Sequence, residues 1–130
     1  MRYLLDSQSA LWSSSTPELL SPRALEVLRD RSNQGFLSVV TPWELGIKIA
    51  SGKLRLDSGL EAYLDRVIRN LGLDVLPVTL PHARRIEHLP VFTDHKDPFD
   101  RMLVAQALVE GLPIVSSDKK LGRYGVEVIW

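Results

Sequence analysis

The chain has 130 residues, of which 45% are hydrophobic and 25% charged, so its composition is that of one ordinary globular domain. Cysteine is absent, which excludes disulfides, zinc–thiolate sites and cysteine nucleophiles and suits a reducing cytoplasm. The 16 basic residues equal the 16 acidic ones, so bulk charge gives no indication of nucleic-acid binding. No apolar run approaches the ~20 residues that span a membrane, and Asp6 interrupts what would be a signal peptide. We expect a single cytoplasmic domain over residues 1–130 with no membrane partner.

Predicted strands and helices alternate along the chain. In chain order, the sequence predicts a strand at 3–5, a helix at 7–12, a helix from 22 to a stop signal at 33–35, a strand at 36–40, helices at 41–51 and 60–71, a strand at 75–78, helices at 81–89 and 99–110, a strand at 113–115, a turn or short helix at 119–123 and a strand at 126–129. The clearest helix is the sixth, which Asp97-Pro98 opens and Gly111 closes. This alternation favours a three-layer α/β/α fold with a mostly parallel central sheet.

Four carboxylates lie at one edge of the predicted sheet. Asp6 ends the first strand, Glu44 lies in the first turn after the second strand, and Asp118 follows the fourth. Asp100 lies in the first turn of the sixth helix. Open α/β sheets bind their ligands beyond the carboxyl ends of the strands, so we expect these four side chains to converge.

Helical phase turns two of these acids inward. Asp100 shares a stripe with the apolar residues three, four and seven positions later, and Glu44 shares one with Ile47. Carboxylates that share a crevice repel each other, and a hard divalent cation removes that repulsion. Such a cation, with open water positions, is what phosphodiester hydrolysis uses. The pattern therefore predicts a Mg²⁺ or Mn²⁺ site whose metal-binding and catalytic residues are Asp6, Glu44, Asp100 and Asp118.

Each acid also has a purely structural interpretation, and the sequence alone leaves both open. Glu44 could complete a capping box with Thr41. Asp6 and Asp118 could cap the short helices that follow them. The acid in the first turn of the sixth helix also suits the positive end of the helix dipole. Asp97 is assigned to capping that helix.

Other chemistry-bearing residues show no pattern of a site. His82, His88 and His95 lack the spacing of a zinc pair and are expected at the surface or in loops. There is no phosphate-binding glycine loop and no GXSXG elbow. Four aromatic residues are more typical of a core or an interface than of base stacking: Trp12, Trp43, Phe92 and Phe99.

Five segments together resemble a PIN-domain protein of the VapC toxin type. They run in order over nearly the whole chain, as residues 3–7 (YLLDS), 41–48 (TPWELGIK), 95–107 (HKDPFDRMLVAQA), 116–119 (SSDK) and 124–126 (YGV). The third segment is the most specific. The resemblance implies a PIN fold and a Mg²⁺- or Mn²⁺-dependent endoribonuclease that acts on structured RNA, often tRNA. It also implies an antitoxin partner encoded beside the toxin, and a homodimer.

The resemblance also assigns individual residues. It places the four family acids at Asp6, Glu44, Asp100 and Asp118. It puts Ser116 near the metal, has Ser7 where threonine is commoner, and leaves Asp97 as a cap with a smaller supporting role beside the site. Four cations flank the acids and would bind the RNA backbone or form a solvated rim: Lys48, Arg101, Lys119 and Lys120. The rival functions are a PIN-like nuclease acting on other RNA or on DNA, a non-catalytic PIN-like binding module, and an unrelated phosphohydrolase.

Overall fold

Five parallel strands form the centre of the protein in the computed structural model, which describes residues 1–130. They are β1 (Arg2–Leu5), β2 (Gln34–Ser38), β3 (Asp74–Leu76), β4 (Ile114–Val115) and β5 (Val128–Ile129). Their order in the sheet is β3-β2-β1-β4-β5, and every neighbouring pair is parallel. The sheet is therefore parallel throughout, which confirms the predicted fold class.

Helices cover both faces of this sheet. They are α1 (Ser7–Ser15), α2 (Pro22–Arg29), α3 (Val40–Ala50), α4 (Leu60–Leu71), α5 (Leu80–Arg85) and α6 (Pro98–Glu110), with 3₁₀ segments at Pro17–Leu19, Ile86–His88 and Lys119–Tyr124. Helices α1, α2 and α4 pack into a core cluster on one face, while α6 packs into a second cluster on the other. Both faces of β1 are buried, as expected of a central parallel strand. None of the helices combines the length and the apolar character needed to cross a membrane.

The path of the chain creates a crevice beside β1. From β1 the chain moves outward through β2 to β3 and then returns to β4, on the other side of β1. The connections after β1 and β4 therefore leave the sheet edge in opposite directions. In open α/β sheets a crevice at such a reversal is where ligands bind.

Several element boundaries differ from the sequence prediction, among them those of α1, β2 and β3. Helix α1 continues to Ser15, three residues past its predicted end, and its serine hydroxyls bond back to its own carbonyls, as in the 2.7 Å contact from Ser13 Oγ to the Ala10 oxygen. Strand β2 ends at Ser38, whose hydroxyl accepts a hydrogen bond from the Val40 amide at 3.0 Å, and α3 begins there. Strand β3 ends before Pro77, which has no amide to donate to the ladder.

The proposed capping box of Thr41 and Glu44 is wrong. Helix α3 begins at Val40, its N-cap residue Val39 makes no side-chain capping bond, and the first amide of the helix is bound by Ser38 and not by Thr41. Thr41 lies inside the first turn, buried, and its hydroxyl is 3.1 Å from Ser7 Oγ. A capping box forms at α5 instead, where the Thr79 amide donates to His82 Nδ1 at 3.0 Å. The sequence did not reveal that box because its second member is a histidine and not a glutamate or glutamine.

Candidate active site

Asp6 and Asp118 flank the crevice between β1 and β4, and both serve as helix caps as well. One oxygen of Asp6 accepts a hydrogen bond from the Ser9 amide at 2.8 Å. One oxygen of Asp118 accepts from the Lys120 amide at 3.0 Å. The capping and site interpretations are therefore compatible, because each cap uses one oxygen and leaves the other available to the cleft.

Helix α6 brings Asp100 to the same cleft. Asp97 caps the helix by accepting from the amides of Phe99 at 2.8 Å and Asp100 at 3.1 Å, as predicted. The predicted stripe below Asp100 is buried, so the carboxylate faces inward at the first turn. The cleft is lined by Asp6, Ser7, Gln8, Leu11, Glu44, Leu45, Lys48, Asp97, Asp100, Ser117 and Asp118. The structure thus brings all four predicted acids to one surface depression.

Glu44 is held at both carboxylate oxygens. Ser7 Oγ donates to its Oε1 at 3.0 Å, and Lys48 Nζ lies 2.8 Å from its Oε2. The hydrogen bond to Glu44 is the main reason that the pKa of Lys48 is raised, and the negative charge of Glu44 adds to it. The inward orientation of Glu44 was predicted correctly, but the stripe used to predict it was wrong. Ile47 is 47% exposed, and the buried face of α3 runs instead through Val40 and Leu45.

The electrostatics of the cleft are those of crowded, partly dehydrated acids. Burial raises the pKa of Asp100 to about 6, with further contributions from the negative charges of Asp97, Glu44 and Asp118. Burial also raises the pKa of Asp6, against the effect of hydrogen bonds from Ser116 and Ser9. A bound cation would reverse both effects by favouring the ionised carboxylates.

A histidine that the sequence did not single out completes the cluster. His95 was expected at the surface or in a loop; it does lie in the loop before α6, but it is buried. Its Nε2 atom is 3.4 Å from Oδ2 of Asp100 and 3.4 Å from Oδ2 of Asp118. His82 is buried as well, bound to Glu110 at 2.8 Å on the far end of α6, whereas His88 is exposed as predicted. Loop residues carry no periodicity, so the pattern contained no signal for His95.

Tyr124 fixes the imidazole of His95. The tyrosine hydroxyl donates to the His95 carbonyl at 3.1 Å and lies 2.8 Å from its Nδ1. Because the hydroxyl proton is donated to the carbonyl, the hydroxyl oxygen must accept from Nδ1–H. The imidazole is thereby oriented with Nε2 toward the carboxylates. Nε2 is buried and has no hydrogen-bond partner of good geometry.

These side chains fit a divalent cation. Ligand atoms of His95, Asp100 and Asp118 lie within 4.8 Å of one another. Carboxylate oxygens suit Mg²⁺ and Mn²⁺, and the imidazole nitrogen is a ligand for transition ions. The orphaned Nε2 beside two carboxylates is what such an ion would satisfy. Ser116, which is fully buried, accepts from the Asp118 amide at 3.0 Å and so holds the turn that carries this acid.

The cations that flank the acids differ in how free they are. Arg101 donates to the Pro90 carbonyl at 2.8 Å. Lys120 Nζ lies 3.7 Å from the carboxylate of Asp94. Lys119 is exposed and makes no ion pair. Of the four predicted backbone-binding residues, Lys119 alone has a side chain with neither a hydrogen bond nor an ion pair, whereas Lys48 and Lys120 are paired with acids and Arg101 is bound to a carbonyl.

The parallel sheet, with carboxylates collected where its strand order reverses, places the protein among α/β proteins with an acidic, cation-binding cleft. The family model of the PIN domain matches residues 3–127, and the chain belongs to that family. This confirms the family resemblance drawn from the sequence.

Solved structures share the fold over almost the entire chain. A chain of the Rickettsia felis VapBC2 complex, bound to a DNA fragment from its promoter, is similar with a TM-score of 0.72 and 15% identity, covering 98% of this chain and 97% of that one. A chain of DNA-bound VapBC from Salmonella typhimurium has a TM-score of 0.67 and 20% identity, covering 98% and 96%. A chain of FitAcB from Neisseria gonorrhoeae has a TM-score of 0.61 and 21% identity, with the same coverage. At these identities the likeness concerns the fold. No curated protein sequence matches the chain.

Proposed function

We propose that this protein is a metal-dependent endoribonuclease of the VapC type, a single domain over residues 1–130 that hydrolyses RNA phosphodiester bonds in the cytoplasm as the toxin of a toxin–antitoxin pair. The observation that carries the proposal is the meeting of four carboxylates and His95 in one cleft at the switch point of a PIN fold. Phosphodiester hydrolysis needs this kind of anionic, cation-binding cleft.

Asp100, Asp118 and His95 would hold the cation, and Asp6 and Glu44 line the same cleft. Bound there, Mg²⁺ or Mn²⁺ would supply the activation of water and the neutralisation of charge that develops on the phosphate. The histidine nitrogen favours Mn²⁺ over Mg²⁺.

Surrounding side chains orient this ligand set. Ser7 and Lys48 fix both oxygens of Glu44, which limits its rotation and keeps its remaining lone pairs toward the cleft. Asp97 starts α6 so that the carboxylate one turn in faces the cleft. Tyr124 orients the imidazole of His95. Loss of one such outer contact typically costs about 10- to 100-fold in metal affinity.

The substrate is a phosphate chain, and the family resemblance favours RNA, with tRNA as one candidate. A cation without a competing partner is best placed to bind the backbone, which selects Lys119 first. Lys48, Arg101 and Lys120 would contribute less because each is already engaged.

We further propose an antitoxin partner and a homodimer. The antitoxin is supported by the structural neighbours, which were solved as VapBC and FitAcB complexes, and the homodimer is supported by the family resemblance alone. Coexpression with the product of an adjacent small open reading frame should yield a complex that copurifies, and light scattering on the isolated chain should give twice the monomer mass of 14.6 kDa. A chain that scatters light as a monomer and copurifies with no adjacent gene product would contradict both proposals.

One cleavage experiment tests the catalytic proposal. Purified protein is incubated with single-stranded RNA, tRNA and single-stranded DNA, each with Mn²⁺ or with EDTA. The control is Asp6→Asn, which removes the charge but keeps an oxygen for the Ser9 amide, because asparagine caps helices as well as aspartate does. We expect cleavage of RNA only, with Mn²⁺ only, and loss of at least about a hundredfold in rate for the variant, since electrostatic and metal contributions are of this order.

Each other outcome points elsewhere. Equal RNA cleavage by Asp6→Asn and the unaltered protein would remove the cleft as the site. Cleavage of DNA alone would favour a PIN-like DNA nuclease. No cleavage of any substrate by a protein that still binds its partner would favour a non-catalytic module.

A further inference from the structure

An exposed aromatic pair lies outside the acidic cleft. Trp43 on α3 was expected in a core or an interface, but it is 61% exposed. The edge of its ring meets Phe99 of α6, with ring centroids 5.0 Å apart and planes 82° apart. We call these two side chains the aromatic shelf. Phe99 supports the indole of Trp43, and most of the Trp43 side chain remains open to solvent.

The aromatic shelf lies next to the cleft because each of its residues directly precedes a cleft acid in the sequence. Trp43 directly precedes Glu44 in α3, and Phe99 directly precedes Asp100 in α6. Neighbouring Cα atoms are ~3.8 Å apart, and successive helical side chains point about 100° apart. Both helices therefore present a carboxylate to the cleft and an aromatic ring to the adjacent surface. A chain held by its phosphate in the cleft would have its next nucleotide over the shelf.

Positive charge accompanies the shelf. Trp43 lines a shallow hollow together with Ile86, Lys96, Pro98, Arg101 and Met102. Lys96 is exposed and makes no ion pair, and Arg101 is held at the rim by the Pro90 carbonyl. An apolar floor with two cations at its margin is complementary to a nucleobase attached to phosphates.

We propose that the aromatic shelf, with Lys96 and Arg101, binds one unpaired nucleotide beside the phosphate in the acidic cleft, by stacking its base on Trp43. This inference rests on the proposed nuclease function, which it deepens by assigning a binding site for a flanking base. Stacking accepts any base, so the shelf selects for single-stranded or flipped-out nucleotides and not for sequence.

The neighbouring residue Ile47 provides the matched control. It lies one turn after Trp43 in α3 and is 47% exposed. An apolar protein partner or a second copy docking on this face of α3 would use both side chains. A stacked base would use only the aromatic one.

Binding is measured with Ca²⁺ in place of Mn²⁺, so that the cleft acids stay neutralised, and each RNA is checked on a gel for cleavage. The probes are a short unstructured RNA, a DNA of the same sequence and an abasic ribose-phosphate chain of the same length. We expect the RNA to bind about tenfold more tightly than the abasic chain and to quench tryptophan emission, since stacking on one aromatic residue is typically worth roughly 5- to 160-fold. Trp43→Ala should abolish both the tenfold difference and the quenching, and Trp43→Phe should keep most of the affinity. Ile47→Ala should stay within about twofold of the unaltered protein.

Three results would overturn the inference. They are equal binding of RNA and abasic chain, unchanged RNA affinity in Trp43→Ala, and equal losses in Trp43→Ala and Ile47→Ala. DNA that binds as tightly as RNA would identify the ligand as any single strand and still support stacking. Cleavage by the unaltered protein with Mn²⁺ is scored separately, so an active enzyme whose Trp43→Ala variant binds normally refutes the shelf alone, and an inactive protein refutes the nuclease function.

Discussion

At the scale of single residues, two of the cleft acids cap a helix and also line the cleft. Asp6 and Asp118 each use one oxygen to cap a helix and leave the other to the cleft. Capping therefore does not exclude the metal-binding role that we propose for these acids, and the sequence could not decide between the two interpretations. His95 was not recognised because its role depends on a loop that folds back onto Asp100 and Asp118.

Asp100→Asn should stabilise the protein in EDTA at neutral pH. The folded pKa of about 6 lies above the ordinary 3.8, so between these values the folded protein holds a proton that the unfolded chain has lost. Stability therefore falls as pH rises through this window, and the full cost applies above it. The shift corresponds to at most about 3 kcal/mol, and solvent screening of a side chain that is 37% exposed reduces the expected gain to about 1 kcal/mol.

Thermal melting at pH 4 and pH 7.5 checks this expectation. The variant should exceed the unaltered protein at pH 7.5 and match it at pH 4. Glu127→Gln, at an exposed acid, serves as the control and should change neither value. With saturating Mn²⁺ the order at pH 7.5 should reverse. A variant that is less stable in EDTA at pH 7.5 would show that the Asp100 carboxylate is not under electrostatic stress.

Tyr124→Phe should weaken Mn²⁺ binding about tenfold without loss of fold, because outer partners of a metal-binding histidine commonly contribute this much. The substitution removes the hydroxyl that holds His95 at Nδ1 and at its carbonyl, but keeps the ring. Tyr63→Phe is the matched control, since the Tyr63 hydroxyl is buried with no partner and lies away from the cleft. Calorimetric titration with Mn²⁺ that gives equal affinities for both variants would exclude a positioning role for Tyr124.

At the scale of elements, the sequence predicted most accurately the bounds of those helices and strands that have local signals at both ends. Helix α6 was found almost residue by residue because Asp97, Pro98 and Gly111 mark its boundaries. Strands β4 and β5 were predicted at 113–115 and 126–129, but they have two residues each, too few for a periodic pattern to fix their ends. The sequence predicted strand β2 to continue to residue 40 because Val39 and Val40 favour strands. In the structure, the bond from the Val40 amide to Ser38 and the packing of Val40 against the sheet begin α3 at Val40.

Two glycines in different elements should respond oppositely to alanine. Gly35 pairs with Tyr3 across β1 and β2, and a Cβ there would lie 2.5 Å from the Tyr3 ring and 2.6 Å from Leu73. Because that ring is buried, Gly35→Ala should destabilise by about 1–3 kcal/mol through overpacking. Gly46 lies inside α3 with its nearest neighbour at 3.7 Å, so Gly46→Ala should stabilise by about 0.5–1 kcal/mol. Urea unfolding of both variants measures this, and shifts of the same sign would contradict it.

At the scale of the whole molecule, alternation of strands and helices predicted a parallel sheet but not the strand order. That order depends on how the crossover between β3 and β4 packs, which is a tertiary property. The cleft nevertheless followed from a general rule, since any such sheet binds ligands at its carboxyl edge. The bulk charge of zero hid an uneven distribution, because five of the 16 acids line the cleft together with a single cation, Lys48.

This distribution predicts how salt affects RNA binding. A protein without net charge attracts RNA only through local contacts, and each phosphate contact contributes about 0.7 to the slope of log K against log salt for a single strand. Lys119→Ala should lower that slope by about this amount, because Lys119 has no competing carboxylate. Lys48→Ala should lower it less, since its ammonium already neutralises Glu44 at 2.8 Å. Lys53→Ala, beyond the end of α3 and outside the cleft, is the control. Binding in EDTA over a series of NaCl concentrations gives the slopes, and a larger effect at Lys48 than at Lys119 would mean that RNA displaces the Glu44 ion pair on binding.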